Sequence, residues 1–173
     1  NSMNLGEGIF KSIDGGTSWE FMGLKATKTI HRIIIDPNEH NTVYVGAMGD
    51  PFSKNEHRGL YKTIDGGENW TKILYSNTSS GIADLVMDKS NPKKIFAALY
   101  EHHRTPYSFV SGGKGSGLYV SEDAGENWSI IGPEQGFPEG ELGRIGIAIA
   151  PSNHNRIYAK VEAKKNVLYR SDD

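Results

Sequence analysis

Apolar positions in this chain fall into short alternating runs, not helical stripes. One β-branched run recurs at 30–35 (Ile-His-Arg-Ile-Ile-Ile), 82–87 (Ile-Ala-Asp-Leu-Val-Met) and 144–149 (Arg-Ile-Gly-Ile-Ala-Ile). Each is followed by a turn rich in Asp, Asn and Pro, and then by a second run at 42–45, 94–97 or 156–159. A third, aromatic run of the Gly-Leu-Tyr type lies at 8–11, 59–62, 117–120 and 167–170, and a fourth short run includes a Trp, as at 70–74. Period-two runs bounded by turn residues predict strands, and no helical period of useful length is present. We call the four strands of a repeat A to D in the order just given.

Between strands C and D the same eight-residue phrase returns. Ser12, Asp14, Gly16 and Trp19 recur as Thr63, Asp65, Gly67 and Trp70, and again as Ser121, Asp123, Gly125 and Trp128; Ser171 and Asp173 open a fourth copy. Intervals of 51, 58 and 50 residues separate Asp14, Asp65, Asp123 and Asp173. Four antiparallel strands repeating at this period predict an all-β chain built of β-propeller blades. The expected layout is one partial β-propeller over 1–173, with a partial blade at 4–22, blades at 28–75 and 80–131, and a partial blade at 142–173. Closed propellers have at least four blades, and blade faces need neighbours. The expected partners are therefore the remaining blades of a larger propeller, continuing beyond Asp173, or a second copy of the chain.

The phrase has a structural reason at each position. Asp accepts backbone N–H groups ahead of it and Ser or Thr adds a second bond of that kind. Gly supplies a positive φ, and Trp covers the sheet end while its N–H still reaches a partner. The three Asp residues would have to converge to form a catalytic or metal site, whereas equivalent turns on successive blades diverge. A structural role is the expectation for the whole phrase.

Composition narrows the function. The 173 residues carry a formal charge of −2, no Cys and 21 Gly. Near-neutral charge gives no electrostatic case for nucleic acid. Without Cys there are no disulfides or thiolate metal sites, and no apolar run reaches the roughly 20 residues that span a bilayer. No metal and no cofactor are expected.

The box is identified as the BNR or Asp-box repeat, and the whole chain resembles the sialidase-like Asp-box propellers. It is most similar to the sortilin/Vps10-like group and to bacterial BNR-repeat glycosyl hydrolases, on the strength of the segments 117–128 and 142–151. The resemblance implies a β-propeller, a secreted or periplasmic location, and a parent protein of glycosyl hydrolase type. In xyloglucanase-like propellers a catalytic Asp follows strand B, where Asp50 stands here; such enzymes draw their second acid from the other half of a larger double propeller. Sialidases use an Arg triad and a Tyr nucleophile. Arg32, Arg58, Arg104 and Arg144 are available, but the Arg-Ile-Pro signature is missing, which disfavours that activity.

Strand alternation puts the box turns and A–B turns at one end of the blades, and the B–C loops and D–A crossings at the other. The B–C loops differ in length. The third covers 162–166, whereas the first covers 48–58 with Asp50, Phe52, Glu56, His57 and Arg58, and the second covers 100–116 with Glu101, His102, Arg104, Tyr107 and Phe109. The D–A crossing at 132–140 is expected to bring Glu134, Phe137 and Glu139 to the same end. Long loops on a rigid scaffold carry binding groups, so one reading is a carbohydrate or peptide groove with aromatic platforms and charged grips. The other is solvated loops packing against further blades. His57, His102 and His103 lack metal-ligand spacing, and the Gly-rich 112–117 lacks the spacing and helix of a phosphate loop. The sequons at Asn69, Asn77 and Asn127 are explained by turn chemistry and chance. Arg32 and Asp84 occupy equivalent strand A positions, with Gly146 third, and are expected to form an ion pair. Taken together, the expected function is a ligand- or partner-binding scaffold; the alternative is part of a xyloglucanase-like glycoside hydrolase acting on polysaccharide, with Asp50 as its acid.

Overall fold

A computed structural model describes residues 5–173, so the expected start of the first partial blade at residue 4 lies outside the described residues. Among the described residues, fourteen strands form four antiparallel sheets in chain order. The first holds β1 (Phe10–Lys11) and β2 (Glu20–Phe21); the second, β3 (Thr29–Ile35), β4 (Val43–Gly49), β5 (Gly59–Thr63) and β6 (Thr71–Leu74). The third holds β7 (Ser80–Met87), β8 (Ile95–Arg104), β9 (Phe109–Ser111), β10 (Gly117–Ser121) and β11 (Ser129–Ile131). The fourth holds β12 (Ile145–Ala150), β13 (Asn153–Val161) and β14 (Val167–Ser171). The fold is all-β, of β-propeller type. No helix is long and apolar enough to cross a membrane among the described residues.

The sheets face one another through apolar clusters. Tyr44 and Leu60 from the second sheet meet Ile82, Leu85 and Leu99 from the third, and Trp128 packs on this cluster. Phe96 and Leu118 from the third meet Ile145, Ile157 and Val161 from the fourth. Burial of such side chains contributes about 1.5–3 kcal/mol each, which explains why strands this short hold. Two glycines set the spacing. A Cβ at Gly46 would lie 2.6 Å from Ile82 Cγ2, and one at Gly81 would lie 2.5 Å from Met48 Cα, so β4 and β7 approach more closely than larger residues allow.

The innermost strands are tied by one carboxylate. Asp84 is buried; its Oδ1 receives Arg32 Nε at 2.7 Å and its Oδ2 receives the Ile147 N–H at 2.9 Å. The expected Arg32–Asp84 pair is thus present, and the carboxylate also reaches the next sheet. Gly146, the third equivalent position, lies beside the carboxylate: a Cβ there would stand in ordinary contact, 3.9 Å from Asp84 Oδ2.

Box turns and A–B turns share one end of the blades. Gly66 donates its N–H to the Asn41 carbonyl at 2.9 Å, and Ala124 does the same to Lys93 at 2.9 Å. The opposite end differs from the sequence reading in one respect. Strand B of the second repeat, expected at 94–97, runs on to Arg104 and turns back through β9. His102 pairs with Ser111, His103 with Val110 and Arg104 with Phe109, so half of the expected loop is a hairpin extension.

Candidate ligand site at the long-loop end

The first long loop is organised by Arg58. Its side chain is fully buried, and its guanidinium donates to the carbonyls of Ser79 at 2.8 Å, Asp50 at 2.5 Å and Ser53 at 3.1 Å. Burial pushes its pKa down, the Asp50 and Glu101 charges pull it back up, and Arg stays charged throughout. The loop is therefore wound around a buried cation, and Arg58 presents no free donor fork to solvent. Asp50 Oδ1 accepts the Phe52 N–H at 2.8 Å, closing a local turn. Glu56 and His57 are exposed, and Phe52 is half exposed.

The second hairpin lies against this loop. The Arg104 N–H donates to the Pro51 carbonyl at 2.9 Å, and the His102 N–H to Ser79 at 3.0 Å. Its Gly-rich return is pinned by Glu101, whose Oε2 accepts the Gly115 N–H at 2.9 Å while its own N–H donates to Ser116 Oγ at 2.9 Å. The segment 112–117 thus spends backbone donors on a carboxylate of the protein itself.

Where loop and hairpin meet the start of the innermost strands, a cavity of about 310 Å³ opens. Its floor is Thr29, Met48 and Pro51, its aromatic wall is Tyr100, His102 and Phe109, and its basic groups are His31, Arg104 and Arg144. The wall is a stepped stack: Tyr100 and His102 ring centres are 5.4 Å apart and tilted, His102 and Phe109 5.3 Å apart and edge-on. Phe109 is more than half exposed. His31 is delivered by a bulge. The β3–β4 register slips between Ile30 and Arg32, and a bulge re-aims a side chain.

The lining is electrostatically one-sided. No Asp or Glu is among its nine residues, and neither Arg104 nor Arg144 makes an ion pair among the described residues. The pKa of His102 is lowered first by burial and then by Arg58, His31, Arg104 and His103; that of His31 by burial, Arg144 and Arg32, with Asp84 opposing. Both imidazoles are therefore neutral at pH 7. Two buried polar atoms in this lining, Thr29 Oγ1 and His102 Nδ1, have no hydrogen-bond partner, a state that costs about 1–3 kcal/mol per group.

Of the sequence candidates, His102 and Arg104 line the cavity, together with Phe109. Asp50, Phe52 and Glu101 stand on the segments that frame it without lining it, and Tyr107 is almost fully exposed at the hairpin tip. Phe137, expected at this end as a loop residue, is buried against Tyr169 at 5.3 Å between ring centres. It lines a larger cavity of about 620 Å³ between the third and fourth sheets, whose walls include Phe96, Leu118, Ile131 and Ile157; this space continues the core packing. Thr29, His31 and Arg144 were not among the sequence candidates for the site. They begin strand A, and D–A crossings reach the same end as B–C loops, so their level in the blade was a usable signal.

At the other end the box turns are self-contained. In each, the hydroxyl bonds the carboxylate and receives the Gly N–H, as in Ser121 Oγ to Asp123 Oδ1 at 2.8 Å and Gly125 N to Ser121 Oγ at 2.8 Å. Asp14, Asp65 and Asp123 also accept the backbone N–H of Ser18, Asn69 and Asn127 at 2.9, 3.0 and 2.9 Å. Ser18 holds Asp14 well below the usual carboxylate range, Asn69 does so for Asp65, and Asn127 brings Asp123 to about 2. Trp70 Nε1 donates to Met22 of the preceding sheet at 2.6 Å, whereas Trp19 and Trp128 bond the Gly carbonyl of their own turn, at 3.0 and 3.2 Å. No group of three or more His, Cys, Asp or Glu is placed to hold a metal ion among the described residues.

With this geometry the comparisons have a place to attach. The profile of the Sortilin-Vps10 family, described as sortilin, neurotensin receptor 3, matches residues 7–166. The chain belongs to this family. No curated protein matches the sequence. Among solved structures, this Sortilin-Vps10 chain is similar to a GH74 xyloglucanase from Xanthomonas campestris (TM-score 0.71, 18% identity, 96% of this chain and 26% of that one). It is also similar to the GH74 enzyme of Niastella koreensis (0.70, 24%, 96% and 25%) and to an ancestral GH74 enzyme (0.68, 18%, 96% and 20%). These likenesses establish the propeller fold. The Sortilin-Vps10 chain spans about a fifth to a quarter of the length of those enzymes.

Proposed function

We propose that this chain is a ligand-binding propeller module whose ligand is a saccharide held in the 310 Å³ cavity between β3, β8 and β9. One observation carries the reading: a concave site pairs a stepped wall of rings with two exposed arginines that make no ion pair among the described residues. Sugar rings present a C–H face to an aromatic ring and hydroxyls to its polar rim, and small-molecule sites combine apolar walls with a few placed polar groups in this way. The GH74 neighbours, one of them a xyloglucanase, support a carbohydrate over a peptide.

Binding is favoured over hydrolysis because cleavage usually needs two carboxylates about 5 to 10 Å apart, and the lining contains none. Asp50 stands beside Pro51 of the floor, but its carboxylate is engaged by Phe52. Titration with a xyloglucan oligosaccharide is expected to show saturable binding that Phe109→Ala weakens about tenfold, in line with the 0.5–1.5 kcal/mol of an aromatic contact. A saturable isotherm unchanged by Phe109→Ala would move the ligand elsewhere. Turnover abolished by Asp50→Asn would restore the hydrolase reading.

A further inference from the structure

We infer that the saccharide taken by this cavity is acidic, carrying a carboxylate on its ring, and that Arg104 and Arg144 receive it. This rests on the cavity being a saccharide site.

Two arginines line one small cavity from different elements, the end of β8 and the residue before β12. Side chains of like charge sharing a cavity repel one another, and an anion placed between them is favoured. Carboxylates on the segments around the cavity bond other groups, Asp50 Oδ1 accepting the Phe52 N–H at 2.8 Å. Asp84 bonds Arg32 and Ile147, Glu101 bonds the Gly115 N–H, and Glu162 bonds Ser111 Oγ at 2.7 Å and the Arg144 backbone N–H at 3.0 Å. The Glu162 case is the most telling, because it touches the backbone of Arg144 and forms no ion pair with its guanidinium. The cavity is thus left with two unmatched positive charges, a buried imidazole nitrogen and a buried hydroxyl without partners. A planar carboxylate matches the guanidinium fork in shape and charge, and a sugar ring beside it stacks on the exposed face of Phe109. The volume lies at the small end of the range for ligand sites, about 300–1,000 Å³, which fits the terminal unit of an oligosaccharide.

The test is calorimetric titration of the chain with trigalacturonate, with its methyl ester, which keeps the rings and removes the charge, and with tetraglutamate. Trigalacturonate is expected to bind at least tenfold more tightly than the ester, to weaken as salt rises, and to lose about tenfold in affinity with Arg104→Gln and with Arg144→Gln. Both side chains are exposed, and unchanged thermal midpoints verify that the variants are folded. Equal binding of trigalacturonate and its ester, or wild-type affinity in both Arg variants, overturns the acidic assignment and leaves a neutral saccharide site. Tetraglutamate binding as tightly as trigalacturonate also overturns it, in favour of an acidic peptide. Absence of binding by trigalacturonate, its ester and the xyloglucan oligosaccharide alike overturns both this assignment and the saccharide reading beneath it.

Discussion

Ala124 shows how much conformation a single turn position demands. It has a φ of +61°, and the equivalent positions in the other two boxes are Gly15 and Gly66, at +73° and +76°. A left-handed L-residue costs about 1–2 kcal/mol, so Ala124→Gly is expected to raise stability by about 1 kcal/mol, a rise of about 2–4 °C in Tm at this chain length. An unchanged or lower Tm in a thermal melt would show that the turn relieves the strain elsewhere. The box carboxylates make a second, pH-dependent contribution. Their pKa values are depressed in the folded chain, below about 3.9 for unfolded Asp. Their stabilisation is therefore complete above roughly pH 4 and is lost as pH falls toward and below 2. Urea midpoints measured from pH 5 to pH 2 should fall less steeply for Asp123→Asn than for the unaltered chain; equal slopes would remove that carboxylate from the account. At this scale the sequence was highly legible. The hydroxyl, Asp and second Gly of the phrase bond within eight residues, which is why that part of its geometry could be read locally, whereas the partner of Trp70, Met22, could not.

At the level of strands, legibility depended on whether a strand end was decided locally. Strand A ends were bounded by Asp and Pro turns and came out within a residue or two. The end of β8 was not, because Glu101–Arg104 is polar and reads as loop. What makes it a strand is its pairing with β9 and the Arg104 bond to Pro51, contacts between segments distant in sequence. The bulge in β3 was invisible for the same reason: the run Ile30 to Ile35 does not by itself say that the register against β4 slips and places His31 in the cavity. Arg58 illustrates the opposite error. Its charge suggested a ligand grip, and only the fold reveals the three carbonyls that enclose it. Close strand approach also carries a prediction. A Cβ at Gly81 would meet Met48 backbone atoms at 2.5 Å, which cannot swing aside as a side-chain tip could. Gly81→Ala is expected to cost about 1–3 kcal/mol, the range for forced overpacking, and to widen the gap between β4 and β7. A denaturant midpoint equal to the unaltered chain would mean the strands slide without loss.

Across the whole molecule, the main sheet-to-sheet contacts join neighbours in sequence order, so stability is approximately a sum of sheet and interface contributions, and cooperativity depends on what couples one interface to the next. Asp84 is placed to do this. It takes Arg32 from the sheet before it and the Ile147 N–H from the sheet after it, while buried itself. Tyr44 is a suitable contrast, since its hydroxyl bonds the Ala124 carbonyl at 2.9 Å and so serves a single interface. Removing the Asp84 carboxylate strands a buried N–H and frees an Arg, at a cost of about 2–3 kcal/mol; removing the Tyr44 hydroxyl costs about 1 kcal/mol. The difference that matters is in the shape of the transition. Asp84→Ala is expected to broaden calorimetric unfolding or split it in two, with the van't Hoff enthalpy falling below the calorimetric one, because second and fourth sheets no longer share a common bond. Tyr44→Phe should shift the transition downward and leave its shape intact. If both variants unfold in a single sharp step, the apolar clusters alone couple the sheets, and Asp84 is one stabilising contact among many.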